Sequence, residues 1–521
     1  MQFNSVEYLV FFIAVALVIH ALRERRYQHA FLVAASLLFY WVSGGIFILL
    51  MLFVTMVTFL GGAALEGETD RRRRKGLLAV TTAITLAILG FFKYYDFAIA
   101  SANELFTAWG VPAALPYLQT ALPIGISFYT FHALSYIFDI YLGRLKPTRS
   151  LTEYTLYITF FPQLVSGPII RAREFLPQLR DRLVITPGNV KYGVTRMAVG
   201  IVKKVVIADN LAYYVDLVFS NPAVPVQESN SFFIISGTIL FGLQIYFDFS
   251  GYIDIAIGSA AILGLILPEN FNNPYFSASP TEFWRRWNIT LSAFIRDYVY
   301  IPLGGNRRGK LRTYANAFFS MLLCGIWHGA SWNFFLWGAF HGLLLSVHKA
   351  LVDWNPGRRV RVALGMGGAA PDGGDSDVSF GVRGADAPIR ITPVTIAKIL
   401  VTQYFIFLGW LIFRVHDLDD LLYCLHEFIF IDWQSMVNGL TKYRDILQTN
   451  LLLLGAVTVV LLILLSRRLR KQGIDGIVNF DYVKAIRDLS LPWYGLFILV
   501  VILLLLCVSP SASPEFIYFQ F

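Results

Sequence analysis

The sequence predicts an all-α protein that crosses a membrane many times, and three observations lead to that class. Of its 521 residues, 56% are hydrophobic and only 15% are charged, whereas soluble domains carry about 25% charged residues. The mean hydropathy is +0.59. Apolar stretches of membrane-crossing length recur along the whole chain. Such a chain has too little polar surface to cover itself in water, which excludes disordered, fibrous and ordinary cytosolic proteins.

Basic runs between the apolar stretches predict the orientation. Residues 1–21 have no basic residue before their apolar run, so we predict a retained first helix rather than a signal peptide. The basic runs at the following places fall on one side if each stretch crosses once: residues 23–26, 71–75, 307–312, 358–361 and 467–471. We therefore predict roughly eleven spans, with both termini outside and the short stretches tilted, paired or re-entrant. The net charge of +9 belongs to these loops and does not indicate nucleic-acid binding.

Two further features concern organisation. Residues 365–387 are rich in Gly, Asp, Ser and Pro and lack apolar periodicity, so we predict a mobile cytoplasmic loop within a single domain that spans residues 1–521. The three cysteines, Cys324, Cys424 and Cys507, lie far apart and show neither metal-site spacing nor a disulfide framework.

Polar residues inside an apolar stretch are the first candidates for a functional site. Five small or polar residues recur at intervals of four: Gly242, Tyr246, Ser250, Asp254 and Gly258. On a helix they form one stripe, which is expected to face protein or a water-filled cavity. Asp248 lies on another face and needs a partner of its own. Helix packing through the glycines and a substrate path along the polar residues both remain open.

The segment from Ser279 to Tyr298 is predicted to form one amphipathic helix. Ser279 and Glu282 make a capping box, with Pro280 at the first helical position. The apolar face carries Trp284, Trp287, Leu291, Phe294 and Tyr298. The polar face carries Arg285, Asn288, Ser292 and Arg296. Such a helix lies at a membrane interface or along a wet cavity, and composition alone favours the interfacial anchor.

A histidine at the end of an apolar stretch is the third candidate. Gly325 and Gly329 are expected to leave space beside the ring of His328. A lone histidine is usually a packing residue, but a neutral imidazole here could accept a proton from a hydroxyl. His341 and His132 are weaker candidates. His341 would lie about 220° further around a continuous helix, so we do not expect it to share a face with His328.

Taken together, these residues resemble one family. Residues 280–309, followed by Trp327-His328-Gly329, are similar to the membrane-bound O-acyltransferase family, and within it to the bacterial branch that O-acetylates alginate. Residues 122–129, 161–168, 244–251 and 516–521 resemble it too. The resemblance covers nearly the whole chain except residues 365–387, and it implies many helices around a tunnel with a catalytic histidine, which His328 matches. Bacterial relatives commonly carry histidine where this chain has Asn288, which argues against carrying over a two-histidine mechanism. Eukaryotic relatives often pair an asparagine with the catalytic histidine.

The resemblance also implies a function and a set of site residues. We expect His328 and Asn288 to be catalytic, and a substrate tunnel lined by these residues: Trp284, Ser292, Arg296, Asp297, Tyr246, Asp248, Ser250, Asp254 and Trp327. Acetyl-CoA is the expected donor, without a permanently bound cofactor or a metal. The acetyl group would cross the bacterial inner membrane to a periplasmic acyltransferase partner, which would esterify an exported polysaccharide such as alginate.

Two alternatives stay open from the sequence. The first keeps the enzyme class and changes the cargo, to D-alanyl transfer onto teichoic acid or to acetylation of cellulose or another glycan. The second is a transporter or flippase whose pathway would use Asp248, Asp254 and Arg296. Transporters often contain inverted repeats, and the sequence shows no repeat of fixed period.

Overall fold

The computed structural model describes residues 1–112, 114–119, 121–221, 224–354, 392–438, 481–508 and 516. Within these ranges every regular element is helical, and one isolated antiparallel bridge joins Phe271 to Trp287. The predicted all-α class is confirmed. The loop predicted at residues 365–387 lies outside the described residues, as do the basic runs at residues 358–361 and 467–471.

The helices are numbered in chain order. The first group is α1 (Val6–Ala21), α2 (Arg25–Gly44), α3 (Ile48–Gly67), α4 (Arg71–Ala108), α5 (Ile126–Tyr141), α6 (Leu151–Thr159), α7 (Phe161–Leu164), α8 (Ala172–Phe175), α9 (Pro187–Ile201) and α10 (Asp209–Phe219). The second group is α11 (Ser231–Ile262), α12 (Pro280–Arg286), α13 (Ile289–Ile295), α14 (Lys310–His328), α15 (Trp332–Trp354), α16 (Pro393–Arg414), α17 (Leu418–Ile429), α18 (Tyr482–Arg487) and α19 (Leu491–Val508). Two π-helical turns occur at Val202–Ala208 and Arg296–Tyr300.

Several helices have the length and composition of membrane spans. In the described part of the chain, six stretches qualify: Arg25–Gly67, Arg71–Ala108, Ser231–Ile262, Trp332–Trp354, Pro393–Arg414 and Leu491–Val508. The first is interrupted by a 3₁₀ turn at Gly45–Phe47. The protein is therefore a multi-pass membrane protein. The number of roughly eleven spans stays a prediction.

The pairing of α9 with α11 explains the glycines of the predicted stripe. A side chain added at Gly258 would lie 2.6 Å from the carbonyl oxygen of Gly193. One added at Gly251, which adjoins the stripe without belonging to it, would lie 2.7 Å from that of Gly200. Only glycine lets the two backbones approach so closely. Gly242 likewise makes room for an aromatic side chain of α16. Helix packing is thus the role of the glycines in the stripe.

A π-helical turn between α9 and α10 pairs the acidic residues of α11. It carries two consecutive lysines, Lys203 and Lys204. The amine of Lys203 lies 2.7 Å from the carboxylate of Asp254, and that of Lys204 lies 2.7 Å from both Asp248 and Asp209. Adjacent lysines therefore reach two different faces of α11, and Asp248 has a partner separate from that of Asp254. Buried charges need such pairing, because isolated ones are very costly.

The single helix predicted from Ser279 to Tyr298 is wrong. Helix α12 ends at Arg286, Trp287 is extended, and Asn288 adopts a left-handed backbone with φ of +43° before α13 begins. Asn270 holds this break from outside the segment. Its carbonyl oxygen accepts a hydrogen bond from the N–H of Ile289 at 3.0 Å, and its side-chain oxygen accepts one from the N–H of Thr290 at 2.9 Å.

The interfacial anchor favoured by composition is also wrong. Both sides of the break are buried in the protein, with Trp287 exposed by only 2% and Arg286 by 3%. Trp287 bridges to Phe271, so a neighbouring loop covers the segment. Charged and aromatic residues here meet other protein groups rather than the membrane surface.

The ion pairs of the π-helical turn generate a stability prediction. Replacing Lys204 with methionine removes the cation that Asp209 and Asp248 share, and breaking a buried pair in this way typically costs about 3–5 kcal/mol. We expect Lys204→Met to lower the melting temperature of the purified protein in detergent by far more than Lys75→Met, because Lys75 is exposed. Equal melting temperatures for Lys204→Met and the wild type would contradict this account.

Candidate active site

His328 is the last residue of α14, at the point where the chain turns back into α15. The two helices touch backbone to backbone, because a side chain at Gly325 would collide with the carbonyl group of Phe334 and one at Gly329 would collide with its ring. The expectation that these glycines leave space beside the imidazole is therefore wrong. They make room for α15, and α15 in turn closes around the histidine.

Aromatic rings enclose the imidazole of His328, which is only 6% exposed. Its centroid lies 4.8 Å from the ring of Trp327, 4.9 Å from that of Trp337 and 5.3 Å from that of Phe413. Helices α14, α15 and α16 each contribute one of these rings. We call His328 and the surrounding rings of Trp327, Trp337 and Phe413 the aromatic chamber. A histidine kept from bulk water in this way can serve as a general base.

A cation from α4 holds the end of α14. The amine of Lys93 donates hydrogen bonds to the carbonyl oxygens of Trp327 at 2.5 Å and His328 at 2.8 Å. The hydroxyl of Tyr94 donates to the carbonyl oxygen of Ile326 at 2.6 Å. The last carbonyls of a helix have no partner within it and form the negative end of its dipole, so a lysine is well suited to this place. We call these three hydrogen bonds the α4 latch.

Lys93 and Tyr94 are not among the site residues predicted above. The sequence does mark Lys93, because it is a lone charge in an apolar stretch, and such a charge is costly in a membrane unless it has a partner or a function. The partner, however, is a backbone terminus more than two hundred residues away. No sequence pattern indicates which helix end a lysine will reach.

His341 lies nearer the chamber than predicted. The chain breaks between α14 and α15, so the calculation for a continuous helix does not apply. The ring of Trp337 is 4.9 Å from His328 and 4.7 Å from His341. The two histidines therefore flank the same indole. Trp284 packs on this group too, 5.6 Å from Trp337.

A row of aromatic rings runs from Trp287, the neighbour of Asn288 in the chain, to the aromatic chamber. The rings form a chain in which Trp287 is 4.8 Å from Trp410, Trp410 is 5.9 Å from Phe413, and Phe413 is 5.3 Å from His328. Asn288 adjoins the first member of this chain. A row of aromatic rings thus connects the segment that contains Asn288 to His328.

The remaining tunnel residues divide into two groups. Arg296 and Asp297 belong to an ion network, in which Asp297 is 2.7 Å from Arg296 and 2.8 Å from Arg171. The hydroxyl of Ser292 donates to the carbonyl oxygen of Trp287 at 3.3 Å, across the break between α12 and α13. These three residues stabilise the fold locally. The second group, from α11, lines a cavity.

That cavity has a volume of about 360 Å³ and a polar wall, in which four cationic side chains outnumber three acidic ones. Tyr246, Ser250 and Asp254 of the predicted stripe line it. Its charged residues are Arg196, Lys203, Lys484, Arg487, Asp254, Glu269 and Asp481. Asp254 is paired with Arg196 at 2.5 Å and with Lys203 at 2.7 Å. We call this the cationic cavity.

The row of aromatic rings also links the cationic cavity to the aromatic chamber, and Trp287 is its member next to the cavity. Two cavity-lining residues contact its ring, Tyr246 at 6.1 Å and Phe271 at 5.1 Å between centroids. From Trp287 the row of aromatic rings continues to His328. The polar stripe of α11 and the segment around Asn288 are therefore parts of one continuous region.

Such a region, inside a bundle of membrane helices with a buried histidine, is typical of an enzyme that works within the membrane. The sequence profile of the membrane-bound O-acyltransferase family matches residues 118–356. A protein named "Probable alginate O-acetylase" from Pseudomonas putida is 34% identical over 100% of both chains. A Pseudomonas aeruginosa protein of the same name is 37% identical over 83% of this chain and 76% of its own. The peptidoglycan O-acetyltransferase of Helicobacter pylori is 32% identical over 78% of this chain and 74% of its own.

The chain belongs to the membrane-bound O-acyltransferase family, and it is an O-acyltransferase. The resemblance noted in the sequence is thereby confirmed. The roles of individual site residues stay predictions.

The α4 latch leads to a prediction about Lys93. Lys93→Met keeps the length of the side chain but removes the donor that holds the last turn of α14. We expect acyl transfer to fall at least tenfold, since small displacements of catalytic groups can cost about a hundredfold. Tyr94→Phe should have a smaller effect, and Tyr95→Phe, which keeps the latch intact, none. Wild-type turnover in Lys93→Met, measured on protein of equal amount and melting temperature, would contradict the role of the latch.

The left-handed backbone at Asn288 leads to another prediction. Asparagine and histidine tolerate this conformation better than most residues, so Asn288→His should keep measurable activity. Asn288→Gly preserves the backbone and removes only the amide, while Asn288→Ala adds strain of about 1–2 kcal/mol. If the amide assists catalysis, both variants should lose about 10²–10³ in rate. Normal turnover in Asn288→Gly would show that the position is needed for its backbone alone.

Proposed function

We propose that this O-acyltransferase takes an acetyl group from acetyl-CoA on the cytoplasmic side and delivers it to an acceptor on the periplasmic side, for O-acetylation of an exported polysaccharide, with alginate as the first candidate. The observation that carries the proposal is the row of aromatic rings between the cationic cavity and His328. It supports a donor that enters at one side and reacts at the other.

The depth of His328 supports its access to the outer side. Helix α14 begins next to the basic run at residues 307–312, and His328 lies 18 residues after Lys310, or about 27 Å along the axis. Helix α4 begins at Arg71 in another basic run, and Lys93 lies 22 residues later, or about 33 Å. Two helices that start from basic ends thus meet at the chamber. With those ends in the cytoplasm of a bacterial inner membrane, both chain termini are periplasmic.

The position of the cationic cavity supports the cytoplasmic entry of the donor. Tyr192 and Arg196, in the middle of α9, line it. This helix follows Leu183, whose carbonyl oxygen accepts a hydrogen bond from Gln28 at 3.0 Å. Gln28 lies beside the basic run at residues 23–26. Lys484 and Arg487 of α18 add positive charge to the wall. Lysine and arginine are the usual partners of phosphate groups, and acetyl-CoA carries several.

The chemistry proposed for His328 is that of a general base. Its ring takes the proton of the acceptor hydroxyl while the oxygen attacks the carbonyl carbon of the thioester. The carbon–sulfur bond breaks, the thiolate leaves, and the proton returns to it from the imidazolium. The acceptor is a hydroxyl of a periplasmic acyltransferase partner, which then acetylates the polysaccharide.

The names of the relatives support the acetyl cargo and the glycan destination. Relatives that align with more than three quarters of this chain are named as alginate and peptidoglycan O-acetylating proteins. A teichoic acid D-alanyltransferase of Bacillus subtilis is 29% identical over only 44% of this chain. The transporter hypothesis needs Asp248, Asp254 and Arg296 to line an open pathway. All three are engaged in ion pairs instead, which argues against it.

Replacing His328 tests the proposed reaction. A general base contributes about 10²–10⁴-fold, so His328→Ala should lose nearly all acetylation of the polysaccharide while the protein stays in the membrane at normal level. His20→Ala, on the exposed surface of α1, is the matched control. The assay measures O-acetyl groups on polysaccharide from cells that carry each variant in place of the wild type. Near-normal acetylation by well-expressed His328→Ala would refute the proposal.

Reversing charge at the cationic cavity tests the donor. The double variant Lys484→Glu/Arg487→Glu should raise the KM for acetyl-CoA at least tenfold with little change in kcat, because it weakens binding without touching the chamber. A loss of kcat at unchanged KM would contradict a donor site here. Acetyl-phosphopantetheine, which lacks the nucleotide, should be affected less than acetyl-CoA.

A further inference from the structure

His341 is buried next to the aromatic chamber, and the reaction proposed above gives it no role. The residue is only 1% exposed. Its ring centroid lies 5.2 Å from that of Trp284 and 4.7 Å from that of Trp337. Helix α16 makes room for it, since a side chain at Gly409 would lie 2.5 Å from its Nε2. Within the described residues, neither ring nitrogen has a hydrogen-bond partner.

The two indoles that flank His341 share this property. The Nε1 atoms of Trp284 and Trp337 are buried, and neither has a hydrogen-bond partner in the described part of the chain. A buried donor without a partner is costly, and native proteins rarely leave one. Here three adjoining side chains carry such groups, and one of them, Trp337, also packs on His328. Their common complement is a ligand that accepts hydrogen bonds.

We propose that His341 and the indole N–H groups of Trp284 and Trp337 bind the carbonyl oxygen of the acyl donor. This inference rests on the proposed acyl transfer and adds an oxyanion site to it. In a neutral imidazole one ring nitrogen carries a proton and can donate it in a hydrogen bond. Together with the indoles it supplies preorganised donors beside the general base, in a site closed to water.

His328 removes the proton from the acceptor hydroxyl, and the oxygen forms a bond to the carbonyl carbon. The π electrons of the carbonyl group move to its oxygen, and the donors of Trp284, Trp337 and His341 stabilise that negative charge. When the electrons return, the carbon–sulfur bond breaks and the thiolate takes the proton from His328. His341 therefore acts as a hydrogen-bond donor and does not transfer a proton.

Two positions test the site, and each has a variant that separates hydrogen bonding from packing. Trp337→Phe keeps an aromatic ring and removes the N–H. His341→Leu removes the donor, and His341→Gln restores one through its amide. We expect Trp337→Phe and His341→Leu to lower kcat for acetyl transfer about 10²–10³-fold, with little change in the KM for acetyl-CoA. His341→Gln should recover most of the rate.

Two variants serve as matched controls. Trp332→Phe changes a partly exposed tryptophan at the start of α15, the helix that carries Trp337, and His20→Gln changes an exposed histidine on α1. Both should behave like the wild type. Melting temperatures in detergent show which variants fold, and if Trp337→Phe does not, Trp284→Phe tests the same site.

Three results would overturn the inference. Wild-type kcat in folded Trp337→Phe and His341→Leu would show that the donors do not stabilise the transition state. A His341→Gln variant as inactive as His341→Leu would assign a proton-transferring role to the histidine instead. A wild-type protein that transfers no acetyl group would refute the proposed function and this inference with it, whereas an active wild type with unaffected variants would refute the inference alone.

Discussion

The hydrogen bonds from Lys93 to the last carbonyls of α14 are the interaction on which the site depends. They join the longest described helix, α4, to the residue that carries the proposed chemistry, and they place a cation at the negative end of a helix dipole. A charged side chain at this depth is costly, so it constrains the arrangement strongly. Because α14 cannot shift without breaking these bonds, His328 stays where α15 and α16 can close around it.

Charge pairing and close packing organise α9, α10 and α11 in a comparable way. Glycines let α9 and α11 touch, and the π-helical turn directs Lys203 and Lys204 toward different faces of α11. Because the two lysines point to different faces, Lys204 neutralises Asp248 inside the protein. Lys203 and Asp254 form an ion pair that lines the cationic cavity. Asp248 and Asp254, which the sequence offered as a pathway, thus have compensated charges, and Asp254 also lines the cavity.

The fold class and several residues of the candidate site could be predicted from the sequence. The predictions that were wrong share one physical cause. Composition defined the helical membrane class, and the residues around His328 pointed to the family. Local patterns failed where a distant segment decides the backbone. Asn270 breaks the helix predicted from Ser279 to Tyr298, the hairpin of α14 and α15 brings His341 beside Trp337, and Lys93 meets a helix end far along the chain. Helical periodicity contains no information about such contacts.

The central claim is that the donor and the acceptor meet at His328 from opposite sides of the membrane. The most direct test uses proteoliposomes with the purified protein in one orientation, acetyl-CoA labelled in the acetyl group inside, and the purified periplasmic partner outside. The account predicts that label appears on the outside partner with the wild type and not with His328→Ala, while acetyl-CoA itself remains enclosed. Labelling of the partner only when both are on the same side would contradict it.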